Sequence, residues 1–115
     1  MKIGHYILII STVSDIQEGE QIASELIKNK LAACVNILPN IKSIYEWKGS
    51  IHNDDELLLF IKTIKGNESQ VYDIIRDMHS YETPEIITLN IKNIDHKYAD
   101  WLNSVIKTTN DKAQN

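Results

Sequence analysis

Glu56-Leu57-Leu58-Leu59-Phe60-Ile61-Lys62-Thr63 places five consecutive apolar residues between a carboxylate and an ammonium. The run is too short for an ordinary helix and gives water no side to wet, so it reads as a strand buried on both faces. Upstream, the chain supplies a partner for it. Leu31 to Ile37 reads as a strand, Pro39-Asn40 mark a kink or bulge, and Ile41 to Trp47 resumes the strand pattern. In that second piece Ile41, Ser43, Tyr45 and Trp47 alternate with Lys42, Ile44, Glu46 and Lys48. Lys48-Gly49 is a turn candidate, Ile51 begins the return, and His52 to Asp55 form a polar tip before the apolar run. Together these segments form a hairpin that is long for so small a chain.

Working outward, His5 to Val13 reads as another strand buried on both sides, since Ile7, Leu8, Ile9 and Ile10 are consecutive. Ser14 precedes Gln17 by three, a capping-box spacing, and Ile22, Ala23, Leu26 and Ile27 follow at helical spacing. The pattern predicts an amphipathic helix over Asp15 to Lys30, weakened locally by Gly19. Asn67 and Gln70 repeat the capping spacing, and Val71, Ile74, Ile75 and Met78 form the apolar face of a second helix. Thr83-Pro84 stops it, because a residue before proline disfavours the α region. Glu85 to Ile91 is a fourth strand. Asp95 caps a third helix with the apolar face Tyr98, Trp101, Leu102 and Val105.

The order strand, helix, strand, strand, helix, strand, helix is the split βαβ or ferredoxin-like pattern, an α+β antiparallel sheet with an extra C-terminal helix. Residues 1–115 form one domain with its core over about 5–107, and a polar tail over 108–115 is expected to fray. Two helices cover only one face of the sheet. The third covers part of the other, and a neighbouring subunit is the natural source of the rest.

Composition narrows the function. The 115 residues carry 16 acidic and 12 basic side chains, a formal charge of −4, which argues against a nucleic-acid partner. Arg76 is the one arginine, so bidentate phosphate readout has a single candidate. One cysteine excludes an internal disulfide framework. The longest apolar run near the start is far shorter than the roughly 20 residues of a membrane span, and no secretory pattern is present. Cytoplasmic residence without a membrane is the expectation.

The densest polar string is His79-Ser80-Tyr81-Glu82-Thr83-Pro84-Glu85, which joins the second helix to the fourth strand. It reads either as a pocket for a cation or small polar ligand, or as a capped helix end in which His79 meets the dipole and Tyr81 packs. Glu56 and Lys62, six apart on one strand, share a face but stand about 20 Å apart, too far for a direct bridge. Lys62 either snorkels outward or meets a carboxylate from elsewhere. Histidines at 5, 52, 79 and 96 show no metal-ligand spacing. Cys34, in Ala32-Ala33-Cys34-Val35, reads as a buried inert thiol.

Leu31-Ala32-Ala33-Cys34-Val35-Asn36-Ile37, Pro39, Ser43-Ile44-Tyr45-Glu46-Trp47-Lys48-Gly49, Ile61-Lys62-Thr63 and the string from His79 to Glu85 together resemble the CutA divalent-cation tolerance proteins. Tyr98 to Leu102 resembles that family's final aromatic helix, and the likeness runs from about Ile7 to Ile106. It implies a ferredoxin-like homotrimer, cytoplasmic and non-enzymatic, linked to tolerance of copper and other divalent cations. It further implies that Glu56, Lys62, His79, Tyr81, Glu85 and Trp101 line polar clefts between subunits, with Tyr45 and Trp47 on the trimer-forming hairpin. Bacterial copper-binding members have a cysteine near the end of the first strand and two adjacent histidines before the tyrosine. Here Ser11, Met78 and His79 stand at those places. The implied metal contact is therefore weak, made by His79 and the soft thioether of Met78. No cofactor is required, and copper or another divalent cation is the bound partner expected.

Two other readings compete. A trimeric sensor resembling the PII-type signal proteins would hold a small molecule in the same clefts, with Lys62 contributing. An enzyme resembling acylphosphatases needs an arginine in the loop after the first strand, and Ser11 to Ile16 has none.

Overall fold

Alternation along a central strand sorts the molecule into two faces. In the computed structural model, which describes residues 5–106, β1 (Tyr6–Val13) lies between β3 (Ser50–Ile64) and β4 (Ile86–Asn90). β2 (Cys34–Trp47) pairs with the far side of β3, giving the order β2-β3-β1-β4 with every neighbouring pair antiparallel. Ile7, Ile9 and Val13 of β1, with Leu59 and Ile61 of β3, point to one face and are at most 1% exposed. α1 (Ile16–Lys28) and α2 (Glu68–Met78) close that face with Ile22, Leu26, Val71 and Ile75. A 3₁₀ turn at Lys65–Asn67 leads into α2.

The intervening residues face the other way. Tyr6 and Ile64, paired across β1 and β3, pack with Ala33 under Ala99, Leu102 and Ile106 of the α3 region. α3 spans His96–Val105, and its cap is the expected Asp95, whose carboxylate accepts from the amides of Lys97 and Tyr98. Asn103 fastens it further, donating to the Tyr6 hydroxyl at 2.8 Å. Beyond α3, nothing among the described residues covers the outer face. Leu8, Ile10, Leu58 and Phe60 are half-buried there, while Leu38, Ile87 and Leu89 are 38, 48 and 45% exposed.

Several local expectations need correcting. Asp15 rather than Ser14 caps α1, its carboxylate accepting the Glu18 amide at 2.8 Å. A carboxylate at that end also complements the helix dipole, which a hydroxyl does not. Gly19, the expected weak point of α1, is buried against the sheet. A Cβ there would stand 3.2 Å from Val13 Cγ2 and 3.4 Å from Leu59 Cδ2, so glycine is what lets α1 lie close on the sheet. Leu31 to Ala33 are not strand. Lys30 adopts φ 58°, and the amides of Lys30 and Leu31 return to the carbonyls of Ile27 and Leu26, a Schellman ending. Trp101 was assigned to the apolar face of the third helix but is 45% exposed. The tail expected to fray lies outside the described residues.

The hairpin is longer than its alternation suggested. His52 to Asp55 belong to β3 and pair with β2 as far as Trp47 and Ser50. Lys48 and Gly49 take φ 51° and 83°, the mirror-image turn whose twist suits two flanking strands. At Pro39-Asn40 the register shifts between Leu38 and Ile41, so two residues of β2 oppose one of β3, with Asn40 at φ 63°.

Candidate functional site

The loop after α2 is held at its first residue. His79 ends the helix, its amide donating to the Ile75 carbonyl at 2.9 Å. Its side chain is fully buried. Nδ1 accepts the Tyr81 amide at 3.0 Å, which puts the proton on Nε2, and Nε2 donates to the Thr12 carbonyl at 2.7 Å. Glu18 of α1 completes the clasp. Its two oxygens take the Ser80 amide and the Ser80 hydroxyl, each at 2.9 Å, and Oε2 lies 3.3 Å from Nδ1.

This clasp directs Tyr81 onto the sheet. Its hydroxyl donates to Oε2 of the buried Glu56 at 2.7 Å, and its ring leans on His79 with centroids 4.7 Å apart. Burial first, and then the Glu56 carboxylate, push the Tyr81 phenol far above its ordinary value, so it stays protonated and donating. A second phenol–carboxylate pair stands beside it on the hairpin. Tyr45 donates to Asp54, which raises its phenol in the same direction. His52 stacks on Tyr45 at 5.4 Å, and the Lys48 ammonium lies 5.8 Å from the centre of the Trp47 ring.

Between hairpin and loop opens a cavity of about 670 Å³, lined by Thr12, Tyr45, Trp47, Asp54, Glu56, Tyr81, Glu82 and Glu85 among others. The structure thus brings together Glu56, Tyr81 and Glu85, with His79 clasping the loop behind them. Lys62 and Trp101 are not there. Lys62 sits at the far end of β3, in register with Leu8 and Cys34, its ammonium 5.7 Å from the centre of the Tyr98 ring. Among the described residues it forms no ion pair. Trp101 leans on the same tyrosine, 5.5 Å away. The six residues therefore fall into two separate groups, one at each end of β3.

Met78 and His79 are adjacent in sequence, but their side chains part. Met78 lines a shallow groove with Gln17, Gln21 and Ser24 of α1. Among the described residues no group of three or more His, Cys, Asp and Glu gathers to hold a metal ion. Arg76 is exposed on α2, near Asp73 and over the Tyr72 ring. Cys34 is half-buried, with its thiol 3.8 Å from the Asn36 side chain. Among the described residues no helix is long and apolar enough to cross a membrane.

Two members of the site escaped the sequence. Glu18 reaches Ser80 from 62 positions away, with no local signal. Asp54 lies in the stretch that the sequence marks only as a polar tip. Its pairing with Tyr45 follows only from the register of β2 on β3.

The profile of the CutA1 divalent ion tolerance protein family matches residues 7–105. The chain is 40% identical over 96 residues to "Protein CutA, chloroplastic" of Arabidopsis thaliana, covering 84% of this chain and 53% of that protein. It is 38% identical over 95 residues to "Divalent-cation tolerance protein CutA" of Thermus thermophilus, covering 83% and 92%. The chain spans about half the length of several of the curated relatives it matches, 53% and 54% of the two plant proteins. A solved structure from Archaeoglobus fulgidus, described as a periplasmic divalent cation tolerance protein CutA, is similar at TM-score 0.86 and 36% identity, covering 89% of this chain and 99% of that one. Relatives are thus named for both chloroplast and periplasm.

Proposed function

The chain belongs to the CutA1 divalent ion tolerance family, and from that premise we propose that it is a ferredoxin-like homotrimer serving tolerance of divalent metal ions, copper among them, without catalysing a reaction. The observation that carries this reading is the division of the site. Glu56, Tyr81 and Glu85 stand at one end of an apolar, uncovered sheet face, and Lys62 and Trp101 stand at the other. A second copy laid on that face buries Leu38, Ile87 and Leu89 and brings the two half-sites into one cleft, with Tyr45 and Trp47 on the hairpin that reaches across.

In this reading the cytoplasm is the working compartment and metal contact is weak. A metal ion on Nδ1 of His79 has to displace the Tyr81 amide and so works against the clasp, and Met78 has to leave its groove on α1 to join it. Light scattering at micromolar concentration should give three times the chain mass of 13.2 kDa; a stable monomer sinks the assembly. Calorimetric titration with Cu(II), Cu(I) and Zn(II) should show heats reduced in His79→Ala, and unchanged heats remove His79 from metal binding.

A second reading, a PII-like sensor of a small molecule, is favoured by the cavity volume of about 670 Å³, within the usual range for small-molecule sites. A ligand-shift thermal screen separates it from metal tolerance alone.

A further inference from the structure

The cavity between the hairpin and the loop after α2 sets carboxylates among aromatic rings, and a bare metal ion would use only the carboxylates. Its walls carry the carboxylates of Asp54, Glu56, Glu82 and Glu85 and the rings of Tyr45, Trp47 and Tyr81. Among the described residues that line it there is no lysine or arginine. We propose that this cavity binds an organic cation, a protonated amine, guanidinium or quaternary ammonium on a short apolar stem. This names the ligand class of the cleft proposed above and rests on that reading only for the cleft's outer wall, because the residues just named all come from one chain.

The sign of the charge decides first. A phosphate or carboxylate ligand would meet four carboxylates. Within one chain none of the four has a lysine or arginine partner in the cavity wall. Size and geometry decide next. Three metal-ligating groups do not converge among the described residues, whereas about 670 Å³ suits a small organic molecule.

The walls are already set for such a guest. Trp47 carries a cation over its ring, the chain's own Lys48 ammonium at 5.8 Å, so the hairpin shows in miniature the contact a ligand would make. Tyr81 and Tyr45 each donate a hydroxyl to a carboxylate, Glu56 and Asp54 respectively, which orients both acids before any ligand arrives. Glu56 is buried, where a cationic partner is worth more than at an exposed carboxylate. The Glu18–Ser80–His79 clasp fixes Tyr81, so little ordering remains to oppose binding.

The test uses the full chain, its assembly state first measured by light scattering, and a matched series near neutral pH: benzylamine, benzyltrimethylammonium, benzyl alcohol and benzoate, with ZnCl2 alongside. Calorimetry should show the two cations binding, benzyl alcohol about tenfold weaker, and benzoate not at all. Glu56→Gln and the half-buried Asp54→Asn should each weaken the cations by about fivefold to tenfold, and Trp47→Ala should weaken the quaternary ammonium most. Benzoate binding as well as benzylamine overturns the inference while leaving the cleft a ligand site. So does cation binding that survives all three substitutions, or the absence of binding by any organic probe while ZnCl2 binds. Cation binding by a monomer upholds the inference and removes the trimer, so the two readings fail separately.

Discussion

Ile9 and Ile10 are neighbours on β1 and chemically identical, yet Ile9 is fully buried and Ile10 is half-exposed. The face that holds Ile9 is finished within the chain, because α1 and α2 together bring Ile22, Leu26, Val71 and Ile75 down on it. The face that holds Ile10 is finished at one end only, where α3 covers Tyr6 and Ile64. The contrast separates two uses of the same hydrophobic side chains. One set stabilises the fold, and the other leaves a half-exposed surface that a second copy would bury in the proposed assembly. The candidate site stands on the second face, so under the proposed function its completion depends on assembly rather than on folding.

The largest expected effect tests the unfinished face directly. Ile87→Lys with Leu89→Lys places two charges on that face, and light scattering should then report the chain mass alone, with apparent stability no longer dependent on protein concentration. An assembly that survives both lysines would separate the bare face from oligomerisation. On the finished face, Ile9→Ala should cost about 3 kcal/mol in urea unfolding, since a fully buried methylene-rich side chain leaves a cavity behind. In the double-lysine background Ile10→Ala should cost well under half of that, and equal costs would erase the distinction between the faces. Glu18→Ala removes both hydrogen bonds to Ser80 and should lower stability by about 1–2 kcal/mol, with hydrogen exchange at the Tyr81 amide accelerated.

The smallest effect concerns pH. The Tyr81 phenol is raised in the folded state, so folding holds its proton more tightly than the unfolded chain does. The sign follows. Its contribution is intact below the ordinary phenol value of 10.0 and is lost as the pH climbs above it. Tyr81→Phe should cost about 1 kcal/mol at neutral pH and shrink that alkaline loss, read by urea unfolding at successive pH values. An identical alkaline profile in the variant would place the shift elsewhere.

Much of this was legible in the residues. The doubly apolar Leu57 to Ile61 run and the proline–asparagine pair give the hairpin and its bulge, and Asp95 announces α3. Ser14 and Asp15 illustrate what was not. Both are good caps, and the choice between them depends on which residue stays extended while the next turns helical; Asp15 does, at φ −148° and ψ 162°. Gly19 looked like a weakness because its value lies in the distance to Val13 and Leu59, which no local pattern encodes. The site was half legible. The string from His79 to Glu85 was visible as unusual, and the resemblance tied Glu56 to Tyr81. Glu18 and Asp54 join only through tertiary packing and strand register.

The irregularity at Pro39-Asn40 acts as a phase shift in a two-beat sequence. Before it, Leu38 is the even-numbered residue that shares the outer side with Leu58; after it, the odd-numbered Ile41, Ser43, Tyr45 and Trp47 pair with Glu56, Asp54, His52 and Ser50. One extra residue thus exchanges which half of the following segment looks into the cavity. Without it the same letters would present Lys42 and Glu46 on that side and turn both aromatic rings away. The cavity's aromatic wall is in this sense written by an insertion, and deleting Asn40 would edit the ligand surface without changing any residue that touches it.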